Sequence, residues 1–163
     1  MTFGAFGGPK SGGIMRMFDP RSGVLSHSGT FNNNIVTMAA GIAGMDIYTK
    51  EEVERLNALG EKLKTSIEAV IKKHGISTPE PSTSTETQSL MSISGKGSML
   101  AIHFSGEQAK SLLKLFWHYM LKNSIYVAPR GFMALNLELT QQHVDAFVVA
   151  TELFILKYKH FFV

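Results

Sequence analysis

The chain has 163 residues, a hydrophobic content of 44% and a formal net charge of +3, which fit one globular domain and exclude a disordered tail. It contains no cysteine, which excludes disulfides, cysteine metal sites and thiolate catalysis. The basic residues are dispersed and no apolar run is long enough to span a bilayer, so we expect neither a nucleic-acid nor a membrane partner and a cytoplasmic location.

Residues 1–48 have the pattern of a piece of α/β structure. Residues 2–8 predict a short strand that ends in paired glycines, and residues 19–23 predict a turn. Residues 33–48 predict a helix rich in alanine and glycine. Because glycine destabilises a helix relative to alanine, close packing or a function must offset its presence there.

Residues 49–75 carry the clearest helical pattern. Thr49 and Glu52 have the spacing of a capping box, and Gly75 lies where a C-terminal cap belongs. One face is predicted to be buried, formed by Val53, Leu56, Gly60, Leu63, Ile67, Val70 and Ile71.

The next stretch, 76–96, is predicted to be a flexible loop, because its first fourteen residues contain two prolines, many hydroxyls and almost no apolar side chains. Residues 98–104 then predict a strand. Ser105 and Gln108 are predicted to cap a helix, whose buried stripe is Leu112, Leu113, Phe116, Trp117, Met120 and Leu121.

The remaining segments complete an α+β pattern. Residues 125–129 predict a short strand that leads into a proline turn, and residues 133–139 predict another strand. Thr140 is predicted to cap the final helix, whose inward residues are Val144, Phe147, Val148, Thr151, Phe154, Ile155 and Tyr158.

Three short stretches carry a family resemblance: GAFGG at 4–8, SHSGTFNNN at 26–34 and TMAAG at 37–41. Together they resemble the class III aminotransferases that use pyridoxal phosphate (PLP), and most of all the glutamate-1-semialdehyde 2,1-aminomutases. A weaker, collinear likeness continues over 97–150, through GSM at 97–99 and VAP at 127–129.

The resemblance implies an α+β fold that matches the C-terminal portion of a fold-type I aminotransferase. Residues 1–48 would be a remnant of the large PLP-binding domain, 49–75 a linking helix, 76–96 a loop and 97–163 the small C-terminal domain. The family's enzymes are homodimers, which implies a homodimer or a higher homo-oligomer here.

The resemblance also implies how the chain relates to PLP. In the family, the glycine and threonine that match Gly29 and Thr30 bind the cofactor phosphate; the alternative is that residues 30–32 cap the following helix. Ile35 replaces the family's proline. The Schiff-base lysine precedes the GAFGG element, so Lys10 does not match it. We therefore expect no PLP and no transamination by this chain alone, unless a partner supplies the lysine.

Other candidate site residues are groups that transfer protons or bind anions. The catalytic candidates are His27, Tyr126 and His103, and the substrate-binding candidates are Ser28, Asn32 and Arg130. A lone histidine is more often a surface or core residue, and Arg130 has the alternative of a solvated turn residue. No spacing typical of metal ligands is present.

Three hypotheses follow from the sequence. The first is a remnant that has lost the ancestral reaction, and the third is one half of a split PLP enzyme. The second, slightly preferred, is a PLP-independent enzyme or binding protein with a small-molecule site at an oligomer interface. Its chemistry would be an acid–base cyclisation, isomerisation or condensation.

Overall fold

A computed structural model of the protein describes residues 7–9, 13–26, 29, 34–76 and 90–162. They belong to two compact units, Met1–Thr49 and Lys50–Val163. Most of the predicted strand at 2–8 lies outside the described residues.

The first unit contains two helices, α1 (Ile14–Met17) and α2 (Ile35–Ile47), and the predicted turn at 19–23. The helix prediction for 33–48 is confirmed. Nearly the whole surface of α2 is exposed although it is strongly apolar, with solvent-facing side chains at Ile35, Val36, Met38, Ile42, Met45 and Ile47. An apolar helix of this kind has the composition of one that packs against another element.

The second unit begins with α3 (Lys50–Lys73), which confirms the helix predicted at 49–75. Its buried residues are Leu56, Leu59, Gly60, Leu63, Ile67, Val70 and Ile71. Gly75 has a φ of +68°, and the Ile76 amide donates to the Ile71 carbonyl at 3.2 Å. This is the predicted C-terminal cap, in which a left-handed glycine lets the chain satisfy the last carbonyls of the helix.

A three-stranded antiparallel sheet follows, with strands β1 (Leu90–Lys96), β2 (Met99–Ser105) and β3 (Phe132–Ala134) in that order. The loop prediction for 76–96 is therefore wrong over β1. A strand forms there because burial alternates along β1: Met91 and Ile93 are buried, while Ser94 faces solvent. A period of two is typical of a half-buried strand. The rest of that segment, 77–89, lies outside the described residues.

The strand prediction for 125–129 is wrong, and that for 133–139 is confirmed only at its start. Residues 125–129 have no ladder partner within the described chain; the Ala128 amide donates to Phe132 at 3.3 Å, and Pro129 has no amide hydrogen. Beyond Ala134 the chain turns at 137–138 instead of continuing β3.

Helix α4 extends over Ala109–Lys122. It therefore begins later than a cap at Ser105 and Gln108 predicts. Ser105 still belongs to β2, and Gln108 occupies the cap position without a side-chain cap bond. Helix α5 (Gln141–Lys157) does begin after Thr140 as predicted, and the Thr140 amide donates to Nδ1 of His143 at 3.1 Å.

One hydrophobic core joins α3, α4 and α5 to the inner face of the sheet. Phe154 lies at its centre with no exposed surface, and a short 3₁₀ helix, Lys159–Phe161, returns Phe162 to the same cluster. The inner sheet face contributes Met91, Ile93, Leu100, Ile102 and Met133. The second unit thus has two layers, helices on one face of a sheet.

Glu152 connects α5 to the end of α3 through two contacts. Its Oε1 lies 2.8 Å from Nζ of Lys73 and 3.0 Å from Nε2 of His74. The hydrogen bonds from Lys73 and then His74 hold the pKa of Glu152 below its ordinary value. A depressed carboxylate pKa means that this stabilisation is present above the unfolded-state pKa and is lost as the pH falls through the folded-state pKa.

We therefore expect Glu152→Gln to lower the melting temperature at neutral pH. The difference from wild type should disappear well below the ordinary glutamate pKa of about 4.3. Thermal unfolding followed by circular dichroism across this range measures it. Glu107→Gln is the matched control, since Glu107 has no ion pair among the described residues. A pH-independent difference would show that Glu152 acts through packing alone.

Candidate functional site

A cavity in the second unit has a volume of about 720 Å³. It lies between β3, the segment 123–128 and one side of α5. Its apolar lining includes Leu63, Val127, Met133, Val144, Phe147 and Leu153. Its polar side chains are those of Asn123, Ser124, Tyr126 and His143. No lysine, arginine, aspartate or glutamate in the described part of the chain lines it, so the cavity favours a neutral, largely apolar occupant.

Of the described catalytic candidates, Tyr126 lies at this cavity and His103 does not, and Tyr126 is 79% exposed at the rim. A phenol in this position offers a hydrogen-bond donor and acceptor to the polar end of an occupant. His143 also lines the cavity, and sequence reasoning missed it. Its Nδ1 accepts the Thr140 amide, so in this arrangement the ring proton of a neutral His143 is on Nε2.

His103 lies on the outer face of the sheet, as predicted from its alternation with Ile102 and Phe104. Its Nε2 is 2.6 Å from Oγ of Ser94 on the neighbouring strand. It does not line the cavity that Tyr126 lines. His27 lies outside the described residues. Of the three predicted catalytic residues, the two that are described, His103 and Tyr126, do not line the same cavity.

Arg130 projects from a tight turn that leads into β3. The Gly131 amide donates to Ala128 at 2.8 Å, and the Gly131 carbonyl accepts the Ile102 amide at 3.0 Å. Gly131 has a φ of +79°, and a Cβ there would overlap the Ile102 carbonyl oxygen and lie 3.2 Å from Leu113. Only glycine fits this position, so the backbone that carries Arg130 is fixed. Arg130 is exposed and has no ion pair with any described residue.

Of the two residues predicted to bind the cofactor phosphate, Gly29 is described and exposed, and Thr30 lies outside the described residues. The substrate-binding candidates Ser28 and Asn32 also lie outside them. The alternative that residues 30–32 cap the following helix is wrong. The cap residue of α2 is Asn34, whose Oδ1 accepts the Thr37 amide at 3.0 Å. Residues 30–32 lie outside the described residues, so phosphate binding at Gly29 and Thr30 stays a prediction.

In the described part of the chain, no three histidine, aspartate or glutamate side chains come together as a set that could hold a metal ion. The described helices include none with the length and apolarity that crossing a bilayer requires.

Comparison with known proteins gives consistent matches in sequence. The chain is 37% identical over 166 residues to the β-phenylalanine transaminase of Variovorax paradoxus, a match that covers 95% of this chain and 35% of the transaminase. It is 30% identical over 171 residues to the glutamate-1-semialdehyde 2,1-aminomutase of Clostridium kluyveri, covering 93% of this chain and 36% of that protein. No family model matches the chain.

The fold agrees with these matches. The crystal structure of a β-phenylalanine aminotransferase from Variovorax paradoxus superimposes with a TM-score of 0.74 and 34% identity, over 90% of this chain and 34% of that one. The chain is a homologue of the class III, PLP-dependent aminotransferases. It matches the C-terminal part of their structures, as the sequence resemblance implied.

As a class III homologue, the chain spans about a third of the length of the curated relatives that it matches. Identity is higher with the β-phenylalanine transaminase than with the aminomutase. The class III cofactor, PLP, needs an amine for the aldehyde and usually an acid for the pyridinium nitrogen. Among the described residues, no lysine or carboxylate lines the cavity, so this cavity does not fit a PLP site.

Proposed function

We propose that the chain acts as the C-terminal part of a class III aminotransferase, in which Arg130 binds the carboxylate of an amino-acid substrate. The observation that carries this proposal is the 37% identity over 95% of the chain with a β-phenylalanine transaminase. β-Phenylalanine, named as the substrate of that relative, is an amino acid with an aromatic side chain. An enzyme for such a compound needs a cation for the carboxylate and an apolar pocket for the ring.

Three features support Arg130 as the carboxylate ligand. Its guanidinium has a fork of donors that matches both oxygens of a carboxylate. Its backbone is held in a turn that only glycine at position 131 allows. Neither Asp nor Glu among the described residues pairs with it, so an incoming carboxylate has no internal competitor.

The proposal includes a second contributor. The amine that holds PLP would come from a polypeptide that corresponds to the preceding two thirds of the class III enzymes, because the family places its lysine there. Gly29 and Thr30 would then contribute to the phosphate site, in a homodimeric assembly. By itself the chain would not transaminate.

A chimera tests the proposal. The C-terminal part of the Variovorax paradoxus transaminase is replaced by this chain, and transamination of β-phenylalanine is measured. We expect activity in the chimera, and neither activity nor a borohydride-reducible PLP adduct in the chain alone. A folded chimera that binds PLP without transaminating β-phenylalanine or another amino acid would contradict the proposal.

Within the active chimera, we expect Arg130→Ala to raise KM for the amino acid about tenfold to a hundredfold, because a charge-assisted hydrogen bond contributes about 1.5–3 kcal/mol. Arg130→Lys should recover part of the loss, since lysine keeps the charge without the fork. Lys110→Ala, which removes an exposed cation at the start of α4, should leave KM unchanged. Equal effects of the two alanine variants would show that Arg130 acts only through net charge.

The cavity favours a second candidate function, the PLP-independent enzyme or binding protein. Its volume of about 720 Å³ is in the range of small-molecule sites, and Tyr126 at the rim offers an acid–base group. His103, the other described acid–base candidate, lies on the outer face of the sheet and not at this cavity. For that reason we place this function second. A transaminating chimera would count against it.

A further inference from the structure

Helix α4 carries a row of basic side chains along its solvent-facing side. They follow one another at intervals of four residues, and all are exposed: Lys110, Lys114, His118 and Lys122. Residues four apart lie on one side of a helix, about 6 Å apart along its axis. The buried residues of α4 begin at Leu112, two positions further on, and so lie on the opposite side. Lysines that are dispersed in the sequence therefore form one basic ridge in the structure.

No acidic residue compensates this ridge. Helix α4 contains neither aspartate nor glutamate, and none of its basic residues forms an ion pair within the described part of the chain. Like charges four residues apart destabilise a helix, so the ridge does not serve the stability of α4. The first turns of α3 show the opposite arrangement, in which Lys50 pairs with Glu54 and Arg55 pairs with Glu52. An uncompensated row of this kind is typical of a surface that binds an anionic partner.

Lys157 extends the basic surface from α4 to the end of α5. Its Nζ lies 5.6 Å from the ring centroid of Tyr119, the neighbour of His118 in α4, and 5.3 Å from that of Tyr158. At these distances the rings attract the ammonium group, which holds it beside α4. Residues 153–163 contain no aspartate or glutamate. We call the combined surface the basic face, and it consists of Lys110, Lys114, His118, Lys122 and Lys157.

The surroundings of the basic face distinguish between classes of anionic partner. A single-stranded nucleic acid needs free aromatic rings on which its bases stack, whereas Trp117 and Tyr119 are partly buried against the core. A helix that lies on a membrane inserts its apolar side, whereas the apolar side of α4 packs in the core. The net charge of +3 opposes a second copy of the chain. An acidic protein segment meets none of these obstacles.

We propose that the basic face docks an acidic helical segment of another protein, which carries carboxylates at intervals of four residues. On a helix this interval places carboxylates about 6 Å apart on one side, the spacing of the ridge on α4. Each carboxylate can accept a charge-assisted hydrogen bond from a lysine ammonium. Because the lysines are exposed, each pair contributes little by itself and is screened by salt, so the docking is reversible. It does not depend on transamination, since Arg130 is not part of the basic face.

Binding of a designed peptide to the full chain tests the docking. The probe is a fluorescently labelled helical peptide of about four turns, with glutamates on one side at intervals of four residues. A second peptide has the same composition and net charge, but its glutamates are distributed around the helix. Fluorescence anisotropy at low ionic strength, where screening is weak, should show that the first peptide binds at least about tenfold more tightly than the second. Added salt should weaken the binding of the first peptide.

Two double variants separate the basic face from net charge. Lys110→Glu with Lys114→Glu reverses two charges of the basic face, whereas Lys62→Glu with Lys72→Glu reverses two exposed charges of α3 that also have no ion pair among the described residues. Both should melt close to wild type, because exposed substitutions change stability little. The first pair should weaken binding of the one-sided peptide at least about tenfold, and the second about twofold at most. The neutral pair, Lys110→Gln with Lys114→Gln, should have an intermediate effect.

Four results would overturn the docking. Equal binding of the two peptides, or equal weakening by the two charge-reversed variants, would show that only net charge matters. Tighter binding of a single-stranded oligothymidine of the same charge would assign the basic face to nucleic acid. A wild-type dimer that Lys110→Glu with Lys114→Glu dissociates would make a second copy the occupant. Transamination by the chimera is a separate measurement, so each of these results leaves the proposed function standing.

Discussion

Replacing Phe154 with alanine is expected to lower the free energy of unfolding by about 3–5 kcal/mol, because it removes a large ring from a closed core and leaves a cavity. Phe154 has no exposed surface. Its ring centroid lies 5.1 Å from that of Phe116, 5.5 Å from Tyr119 and 5.0 Å from Tyr158, which are distances at which aromatic pairs attract. The substitution therefore weakens the packing of α4 against α5.

The measurement is urea denaturation of both proteins, followed by circular dichroism. Leu153→Ala is the matched control, one residue away on the same helix and 49% exposed; surface substitutions usually change stability by no more than about 0.5 kcal/mol. Similar losses in the two variants would mean that the aromatic cluster around Phe154 contributes no more to stability than the half-exposed Leu153 side chain does.

The long helices could be predicted from the sequence because their burial follows their own periodicity. In α3 the buried residues are the predicted ones except at the start, where Leu59 is buried and Val53 is only partly buried. Gly75 marks the end of the helix by its backbone freedom. In α5 the same rule found the inner face, with Phe154 and Ile155 fully buried. Local pattern and tertiary packing agree in these segments.

The sheet was harder to predict because its strands are short and their partners are distant in sequence. β1 combines serines with Met91 and Ile93 and follows a polar segment, so its composition does not distinguish it from the predicted loop. Residues 125–129 contain β-branched and aromatic side chains, yet Pro129 and the turn at Gly131 direct pairing to the three residues of β3. Strand formation depends on which segment lies alongside, and one sequence does not contain that information directly.

At the candidate site, the chemistry of single residues could be predicted from the sequence, but their arrangement in space could not. Tyr126 and Arg130 could be selected for their chemistry, and the exposed position of His103 followed from strand alternation. That Tyr126 shares a cavity with His143 and Leu63 depends on how α3, α5 and segment 123–128 meet. The only sequence signal for His143 is its position three residues after Thr140, the predicted helix cap. That spacing indicates a capping role and not a cavity.

Replacing Gly60 with alanine is expected to destabilise the protein by about 3 kcal/mol, the upper part of the usual range for overpacking. Gly60 is buried in α3 against the turn between β1 and β2. A Cβ there would overlap the Gly97 carbonyl oxygen, lie 2.7 Å from the Gly97 carbonyl carbon and lie 3.2 Å from Cα of Ser98. These are backbone atoms, so relief requires α3 to move away from the sheet.

The sign of the effect distinguishes packing from helix propensity. In a helix interior, alanine is more favourable than glycine by about 1 kcal/mol, so a substitution without a clash would stabilise. Gly44 in α2 supplies that control, because no atom of the described residues lies within 4 Å of a Cβ built there. Urea denaturation should show a loss for Gly60→Ala and no loss for Gly44→Ala. If Gly60→Ala were as stable as wild type, α3 would not be in close contact with the β1–β2 turn, and this contact could not hold α3 on the sheet.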